Sequence, residues 1–416
     1  MSKIVISGGV PLTGSVRIHG AKNAVLPILA ATVLASGVHI IHNCPKFSDV
    51  YITAEILKSL GAKVSRDRDT LTVDTTDCTG IFIPEHLMRK LRSSVIFTGA
   101  VLARNHEAKV SSPGGCELGP RPIDLHIKAL AQLGANIKEE HGYLFCRAKK
   151  LKGKTVHLDF PSVGATENVM LAAVLAEGET VILNAAREPE ICDLAGFLNN
   201  MGAKIKGAGT STIVIDGVKN LTPKEYRVMP DRIVAATYLC AAAATGGDVS
   251  VTDMCPEHIS AVLSVLSDCG CMIRTTNDSV ILKAPKRLIA PGSIKTMPYP
   301  GFPTDAQSLF LAMLCCADGT TIISETIFES RFKPAGELCR MGAKISVDGR
   351  VAVIQGTEKL SGARVSATDL RGGASLVIAG LAADGVTEIF TPEYIDRGYE
   401  NLENNLALLG ANIKRY

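Results

Sequence analysis

A short segment occurs six times along this chain of 416 residues, and it limits the possible folds more than any other feature. The copies are LGAKV from Leu60, LGANI from Leu133, MGAKI from Met201, CGCMI from Cys269, MGAKI from Met341 and LGANI from Leu409. Their starts are separated by 73, 68, 68, 72 and 68 residues. Repeats of this length indicate a fold assembled from copies of one structural unit.

Two kinds of helix recur in phase with this segment. An amphipathic helix is predicted before each copy and ends at its glycine, and a β-branched strand and turn follow. The second helix is apolar on every side, as in KNAVLPILAATVLASG, GATENVMLAAVLAEG and RGGASLVIAGLAADG. Such a helix belongs inside a layer. The predicted unit is apolar helix, strand, amphipathic helix, strand, strand, which gives an α/β protein with buried helices and external sheets.

Six units suggest two domains of three units each. The boundary is predicted near residues 227–230, so that the N-terminal lobe spans residues 22–229. The C-terminal lobe then comprises residues 230–416 together with residues 1–21, a strand and turn that precede the first apolar helix. Because the chain would cross between the lobes twice, we expect a hinge and a ligand cleft.

The composition excludes several classes of protein. A hydrophobic content of 46% with 20% charged residues indicates a well-buried globular chain. The net charge of +3 without any long run of like charges argues against a nucleic-acid partner. The N-terminus does not resemble a signal peptide, and the longest apolar stretch is too short to insert into a membrane. The twelve cysteines are therefore interpreted as reduced thiols of a cytoplasmic protein.

Neither a metal nor a cofactor is predicted. His39, His42 and Cys44 form the nearest metal-like cluster, but His39 and His42 would point to opposite faces of a strand. The sequence contains no C-x-x-C pair, no Walker loop and no complete G-x-G-x-x-G. The oligomeric state stays open, and a monomer is compatible with the sequence.

Polar residues stand at the predicted starts of the apolar helices: Lys22-Asn23, Arg92, Ser162-Val163-Gly164, Asp231-Arg232, Thr304-Asp305 and Arg371. Serine, threonine and aspartate are adequately explained there as N-caps. Lys22, Arg92 and Arg371 are not, because a helix N-terminus disfavours a cation by roughly 0.3–1 kcal/mol. A cation beside exposed backbone N–H groups suits an anion, so we predict anion binding at these helix starts.

Two further arginines follow strand-like segments, Arg331 in FESRFKP and Arg397 in YIDRGYE. Their guanidinium groups could bind phosphate or carboxylate through paired hydrogen bonds. The alternative is a surface salt bridge, with Glu329 or Asp396 as the partner. The residues alone leave both interpretations open.

One cysteine differs from the others. Cys116, in SPGGCELGPR, follows two glycines that allow its loop to move, whereas most cysteines lie in apolar runs. Arg121 would favour its thiolate and Glu117 would oppose it. Cys116 is therefore a candidate for chemistry, and its loop a candidate lid.

Nine motifs resemble, in order, those of the UDP-N-acetylglucosamine 1-carboxyvinyltransferase family: GAKNAVLPILAA, SPGGCELGPRPIDLH, SVGATENVM, AAREPEI, PDRIVA, GFPTDAQ, FESRF, ATDLR and YIDRGYE. The resemblance implies a two-domain inside-out α/β barrel. It also implies transfer of the enolpyruvyl group of phosphoenolpyruvate to the 3-hydroxyl of UDP-N-acetylglucosamine, with release of phosphate, through a tetrahedral intermediate. This reaction opens bacterial peptidoglycan synthesis.

The resemblance also implies roles for individual residues. Lys22, Arg121 and Arg397 would hold phosphoenolpyruvate, with Arg331 and Arg371 near its carboxylate. The implied sugar-nucleotide contacts are Asn23, Arg92, Arg121, Pro122, Ile123, Asp124, Leu125, Ser162, Val163, Gly164, Asp305 and Ile327. The implied catalytic set is Cys116, Asp305, Lys22 and Arg397. In it Asp305 accepts the hydroxyl proton, and Cys116 protonates the methylene carbon and is the site that fosfomycin alkylates.

Three alternatives remain open at this point. The sister transferase that acts on shikimate 3-phosphate shares the fold but has no cysteine loop of this kind, so GGCELGPR favours the sugar nucleotide. A DNA clamp built from similar repeats would carry basic inner helices, whereas these are apolar. An inactive paralogue would lack some of the implied residues. Glu117 and Pro120 stand where small residues are expected, so they bear on the stiffness of the loop and the pKa of the thiol.

Overall fold

The structure is a computed structural model that describes residues 2–111 and 123–416. The described residues form two compact units, one with residues 2–19 and 230–416 and the other with residues 20–111 and 123–229. The first change of unit follows His19, two residues before the predicted position. The reason is that the Ala21 N–H donates to the Met229 carbonyl oxygen at 2.7 Å, which ties Ala21 to the unit that ends there.

The strands in chain order are β1 Lys3–Ser7, β2 Thr13–Arg17, β3 Val38–His42, β4 Lys63–Asp67, β5 Thr70–Asp74, β6 Phe82–Ile83, β7 Glu107–Ser111, β8 Asn136–Glu140, β9 Tyr143–Arg147, β10 Thr155–His157, β11 Glu179–Leu183, β12 Lys204–Lys206, β13 Thr212–Asp216, β14 Glu225–Arg227, β15 Asp248–Thr252, β16 Met272–Thr275, β17 Ser279–Lys283, β18 Ser293–Lys295, β19 Thr320–Ser324, β20 Lys344–Asp348, β21 Val351–Gln355, β22 Arg364–Ser366, β23 Val386–Phe390 and β24 Asn412–Arg415.

The α-helices are α1 Lys22–Ala31, α2 Ser48–Ser59, α3 Glu85–Lys90, α4 Phe97–Asn105, α5 Asp124–Gln132, α6 Val163–Ala173, α7 Pro189–Asn200, α8 Arg232–Ala244, α9 Ser260–Asp268, α10 Thr304–Met313, α11 Pro334–Arg340, α12 Leu370–Ala382 and α13 Leu402–Leu408. Short 3-10 helices cover Thr32–Leu34, Arg92–Ile96, Pro256–Ile259, Leu314–Cys316 and Pro392–Arg397.

Each unit contains three four-stranded sheets of one topology, counted over the described residues. The strand orders are β14-β3-β5-β4, β6-β7-β9-β8 and β10-β11-β13-β12 in one unit, and β16-β17-β15-β2, β18-β19-β21-β20 and β22-β23-β1-β24 in the other. In each sheet an edge strand runs parallel to a central strand and two further strands add in antiparallel fashion; these two form a hairpin in five sheets, whereas in the sixth they are β1 and β24 from the two ends of the sequence. The parallel edge strand was missed in the sequence because it is only two to five residues long.

The apolar helices form the interior of each unit. Helices α8, α10 and α12 pack against one another, and α4 packs against α1 and α6. The signature glycines end the amphipathic helices as predicted, because all six adopt a positive φ between 89° and 107° that only glycine tolerates readily. The repeat in the sequence therefore reports both the helix ends and the buried layer.

The second position of the central strand faces this interior in all six sheets. Its occupants are His39, Ala108, Thr180, Val249, Thr321 and Thr387, each at most 1% exposed. The hydroxyl groups of the three threonines have no hydrogen-bond partner among the described residues. A buried polar group without a partner is unfavourable, whereas Val249 fills the same position with an isosteric apolar side chain.

Replacing Thr321 by valine is therefore expected to raise the free energy of unfolding by roughly 1 kcal/mol. Thr75→Val is the matched control, since the buried Thr75 hydroxyl donates to the Ala35 carbonyl oxygen at 2.6 Å and its loss should be destabilising. Urea unfolding of both variants measures the difference. Equal destabilisation by the two substitutions would contradict the prediction.

His39 at the equivalent position predicts a pH-dependent stability. Burial lowers its pKa from 6.5 to about 4, so the unfolded chain binds more protons between these pH values. Stability should therefore fall by up to about 3 kcal/mol as the pH drops from 6.5 to 4, and no further below. His39→Val should flatten this dependence in pH-resolved unfolding, whereas replacement of the exposed His157 should not. An unchanged slope in His39→Val would refute the assignment.

Candidate active site

A buried ion-pair cluster lies at the starts of α10 and α12. Asp305, the second residue of α10, accepts a hydrogen bond from Arg331 at Oδ1. Its Oδ2 accepts hydrogen bonds from Nε and Nη2 of Arg371 at 3.3 and 3.2 Å. The side chains of Arg331 and Arg371 are each 3% exposed, while that of Asp305 is 26% exposed. The carboxylate is thus reachable from outside although its two partners are not.

The charges decide the protonation state of this cluster. Burial alone would raise the pKa of Asp305, but the positive charges of Arg371, Arg331 and Arg232 more than offset it and hold that pKa well below the ordinary value. Nη1 of Arg371 is buried and has no hydrogen-bond partner among the described residues. Guanidinium groups in excess of one carboxylate, with an unused N–H group, suit a second anion.

The helix starts explain why cations are tolerated here. Asp369 caps α12 by accepting the N–H groups of Arg371 and Gly372 at 3.0 and 2.9 Å. Asp231 caps α8 in the same way, as the sequence predicted. Asp305 does not act as a cap, because α10 begins one residue before it and the residue at the cap position is Pro303. Its carboxylate instead pairs with Arg331 and Arg371.

A buried glutamate that the sequence did not single out organises the same region. Glu325 is 2% exposed, and its Oε1 accepts the N–H groups of Ile327 and Phe328 at 2.7 and 3.0 Å. Its Oε2 accepts the hydroxyl of Thr304 at 2.9 Å. Glu325 therefore joins the predicted contact Ile327 to the helix turn that carries Asp305. A lone glutamate after a strand carries no signal for this role.

The surface-salt-bridge interpretation fails for Arg331. Glu329 pairs with Arg350 at 3.0 Å, and Arg331 is buried against Asp305. Asp396, the other proposed partner, binds Arg415 through both of its oxygens. The neighbouring Arg397 ends the 3-10 helix that begins at Pro392 and is half-buried.

The other unit carries Lys22 as the first residue of α1. Its Nζ lies 2.7 Å from Oδ2 of Asp49 in α2, and the side chains are 12% and 1% exposed. The carboxylate offsets the cost of a cation at a helix N-terminus. Asn23, the next residue, is exposed. The sequence pointed to the cation but not to Asp49, which lies 27 residues away.

Ser162, Val163 and Gly164 form the start of α6. Ser162 caps the helix by accepting the Ala165 N–H at 3.3 Å. A Cβ atom at Gly164 would lie 3.2 Å from Cε1 of His126, so the glycine permits close approach of α5. The three residues are half-buried and lie at the backbone N–H groups of the helix start, where an anion would bind.

Asn168 fixes the orientation of His126 beside Gly164. Its Oδ1 accepts the Gly99 N–H at 2.6 Å, so its amide nitrogen faces Nδ1 of His126 at 3.0 Å. Nδ1 must then accept, which puts the proton of the neutral imidazole on Nε2. His126 lies within a quoted motif but was not predicted as a site residue.

Several predicted residues cannot be placed. Cys116, Arg121 and Pro122, as well as the side chain of Arg92, lie outside the described residues, although a 3-10 helix begins at Arg92. The other residues of the implied contact stretch 121–125 lie together at the start of α5, where Ile123 is the N-cap residue and Asp124 and Leu125 are the first two residues of the helix.

Most of the described cysteines are not suited to chemistry, because they are buried. All eleven are free, and seven of them are buried. Burial raises the pKa of Cys146 to about 11 and that of Cys269 to about 12. Such thiols stay protonated and unreactive. Within the described ranges there is also no group of three or more His, Cys, Asp or Glu side chains that could hold a metal ion. Nor is any helix of these ranges both long and apolar enough to cross a bilayer.

Comparison with known proteins gives the family to which the chain belongs. The family described as EPSP synthase (3-phosphoshikimate 1-carboxyvinyltransferase) matches residues 6–406, and the chain belongs to that family. It is 54% identical over 415 residues to UDP-N-acetylglucosamine 1-carboxyvinyltransferase 2 of Caldanaerobacter subterraneus subsp. tengcongensis, with 100% of both chains covered. It is 51% identical to UDP-N-acetylglucosamine 1-carboxyvinyltransferase of Geobacter metallireducens, covering 100% of this chain and 99% of the relative.

Solved structures agree with this assignment. The enolpyruvyl transferase NikO from Streptomyces tendae superposes with a TM-score of 0.89 at 26% identity, covering 100% of this chain and 98% of the other. EPSP synthase from Acinetobacter baumannii has a TM-score of 0.76 at 19% identity, covers 100% of both chains, and shares the fold. The resemblance drawn from the nine motifs and the predicted fold class of six repeated α/β units are confirmed.

Proposed function

We propose that this chain transfers the enolpyruvyl group of phosphoenolpyruvate to the 3-hydroxyl of UDP-N-acetylglucosamine and releases phosphate. The observation that carries the proposal is the Asp305 cluster, in which two buried arginines share one partly exposed carboxylate and Nη1 of Arg371 has no partner among the described residues. It offers a base and an anion site at the same place. The high identity to relatives named for this activity supports the choice of substrates.

Binding and base catalysis are coupled in this geometry. An anionic carboxylate that takes hydrogen bonds from Arg371 and Arg331 competes with Asp305 for the same guanidinium groups. Once these charges are shared, the pKa of Asp305 rises towards its ordinary value and the carboxylate can accept a proton. Asp305 is thereby kept ionised before the substrate arrives and becomes a competent base when phosphoenolpyruvate is bound.

The chemistry then proceeds in two balanced steps. The sugar 3-hydroxyl oxygen attacks C2 of phosphoenolpyruvate while its proton passes to Asp305, and Cys116 donates a proton to C3, so that a tetrahedral intermediate forms. The C2–O bond to phosphate then breaks, a proton on C3 returns to the Cys116 thiolate, and the proton on Asp305 passes to the departing phosphate, so that the enol ether and inorganic phosphate are released and both side chains regain their starting states. Lys22 and Arg397 would stabilise the charge on the departing phosphate.

The proposed location is cytoplasmic, supported by the absence of any disulfide among the eleven described cysteines. The proposed partners are the two small-molecule substrates, with no nucleic acid. We also propose that fosfomycin inhibits this reaction by alkylating Cys116.

A second candidate is transfer to shikimate 3-phosphate, because the matching family is described by that activity. One assay separates the two. Phosphate release is measured with phosphoenolpyruvate and either acceptor, for wild type and Cys116→Ala, with Cys339→Ala as the control at an exposed described cysteine. Phosphate release is expected with UDP-N-acetylglucosamine as the acceptor and not with shikimate 3-phosphate. Cys116→Ala should abolish this release, whereas Cys339→Ala should not. Release with shikimate 3-phosphate, or none with either acceptor, would overturn the proposal.

A further inference from the structure

Arg415, in the last strand of the chain, pairs with Asp396 of the 3-10 helix Pro392–Arg397 and with Glu403, and these contacts form a clamp on that helix. Nη1 and Nη2 of Arg415, in β24, donate to the two carboxylate oxygens of Asp396 at 2.8 and 2.6 Å. Nε of Arg415 lies 2.8 Å from Oε1 of Glu403 in α13. This two-pronged arginine–carboxylate geometry sets both distance and orientation, which a single ion pair does not.

The clamp acts on a segment that is also anchored by buried side chains. Ile395 is fully buried, and Tyr399 is 3% exposed with its hydroxyl 2.8 Å from that of Thr237. The Tyr399 ring also lies 5.4 Å from the Arg371 guanidinium carbon, so the chain just after the 3-10 helix touches the Asp305 cluster. Asp396 stands between these anchors and directly before Arg397. Because Arg397 follows Asp396 directly in the 3-10 helix, holding Asp396 also restrains the backbone from which the Arg397 side chain extends.

We propose that Arg415 is a positioning residue for the transfer reaction, which orients Arg397 towards the phosphate of phosphoenolpyruvate through its clamp on Asp396. The proposal rests on the proposed function, because it assigns Arg397 to that substrate. Arg415 itself contacts no substrate. Its side chain is 28% exposed, that of Glu403 is 17% exposed and that of Asp396 is 41% exposed, so the Glu403 side of the clamp is better shielded from water and salt than the Asp396 side.

The test measures KM for each substrate and kcat in Arg415→Ala and Arg415→Lys. Arg415→Ala should raise KM for phosphoenolpyruvate by roughly tenfold and leave KM for the sugar nucleotide unchanged. In Arg415→Lys the KM for phosphoenolpyruvate should return only part of the way to the wild-type value, because an ammonium group cannot donate to both carboxylate oxygens in one plane. Lys preserves the charge, so this variant also stays informative if Arg415→Ala folds poorly.

Two controls separate positioning from stability. Arg364→Ala removes another arginine–carboxylate pair of the same sheet, 2.9 Å from Glu388, and should leave both KM values unchanged. The double variant Arg415→Ala with Asp396→Asn should have the same KM for phosphoenolpyruvate as either single variant, because both substitutions remove the same interaction. Additive effects, or equal changes in both KM values, would overturn the positioning role.

The outcome also distinguishes the two proposals. A wild-type protein that releases no phosphate with UDP-N-acetylglucosamine refutes the proposed function. An active wild type with an unchanged KM for phosphoenolpyruvate in Arg415→Ala refutes only the role of Arg415. A lowered melting temperature with unchanged kinetic constants would likewise reduce Arg415 to a structural residue.

Discussion

Asp305→Asn is expected to lower kcat by about 10²–10⁴-fold, the usual contribution of a general base. The amide keeps the size of the side chain and can still accept hydrogen bonds, but it cannot take the hydroxyl proton. It also leaves the buried charges of Arg331 and Arg371 without their carboxylate, so phosphoenolpyruvate should bind at least as tightly as before. Single-turnover kinetics together with equilibrium binding of phosphoenolpyruvate measure the two effects separately.

The matched control is Asp318→Asn. Asp318 pairs with Arg287 at 3.5 Å on the surface of the same unit, and its side chain is 75% exposed. This variant should be indistinguishable from wild type in turnover and binding. If Asp305→Asn kept normal turnover, another group would have to be the base. If it instead lost binding of phosphoenolpyruvate, the two arginines would not form the anion site.

Lys22→Met should lower turnover about as much as Asp305→Asn does, for a different reason. It removes a cation proposed to hold the phosphate, and it breaks the ion pair of that cation with the buried carboxylate of Asp49. Breaking a buried ion pair on one side typically costs about 3–5 kcal/mol, so both stability and turnover should fall. Chemical unfolding and phosphate release measure the two losses.

A double variant separates these losses. Lys22→Met with Asp49→Asn removes both charges, so stability should largely return while turnover stays low. Lys58→Met, which breaks the exposed pair with Glu55 at 2.9 Å in α2, should change neither quantity. Recovery of turnover in the double variant would show that Lys22 serves the fold and not the substrate.

Much of the architecture was predictable because it depends on local patterns. An apolar helix, a glycine at a helix end and an alternating strand each follow from a few neighbouring residues, and six repetitions in phase make the pattern unambiguous. The edge strands were missed since two to five residues carry too little periodicity. The sequence also did not distinguish the positions inside the strands. His39, at a position that threonine, valine or alanine occupies in the other sheets, is an example.

The candidate site was predictable only in part. The unusual cations at Lys22 and Arg371 pointed to anion binding, and Arg331 was left undecided between a ligand contact and a surface salt bridge. Its burial in an ion pair with Asp305 decides against a surface salt bridge with Glu329. Glu325 and His126 gave no signal at all, because their importance lies in backbone groups and neighbours that they meet after folding.

The sequence by itself determined the repeated α/β unit, the helix ends, the buried helices and the family, since these are encoded in short-range periodicity and in ordered motifs. Only the tertiary structure decided which charges meet. Asp305 pairs with Arg371 across 66 residues and with Arg331 across 26, and Arg415 reaches Asp396 across 19. Electrostatic and hydrogen-bond energies depend on distances of a few ångströms in space, and separation along the chain does not report them.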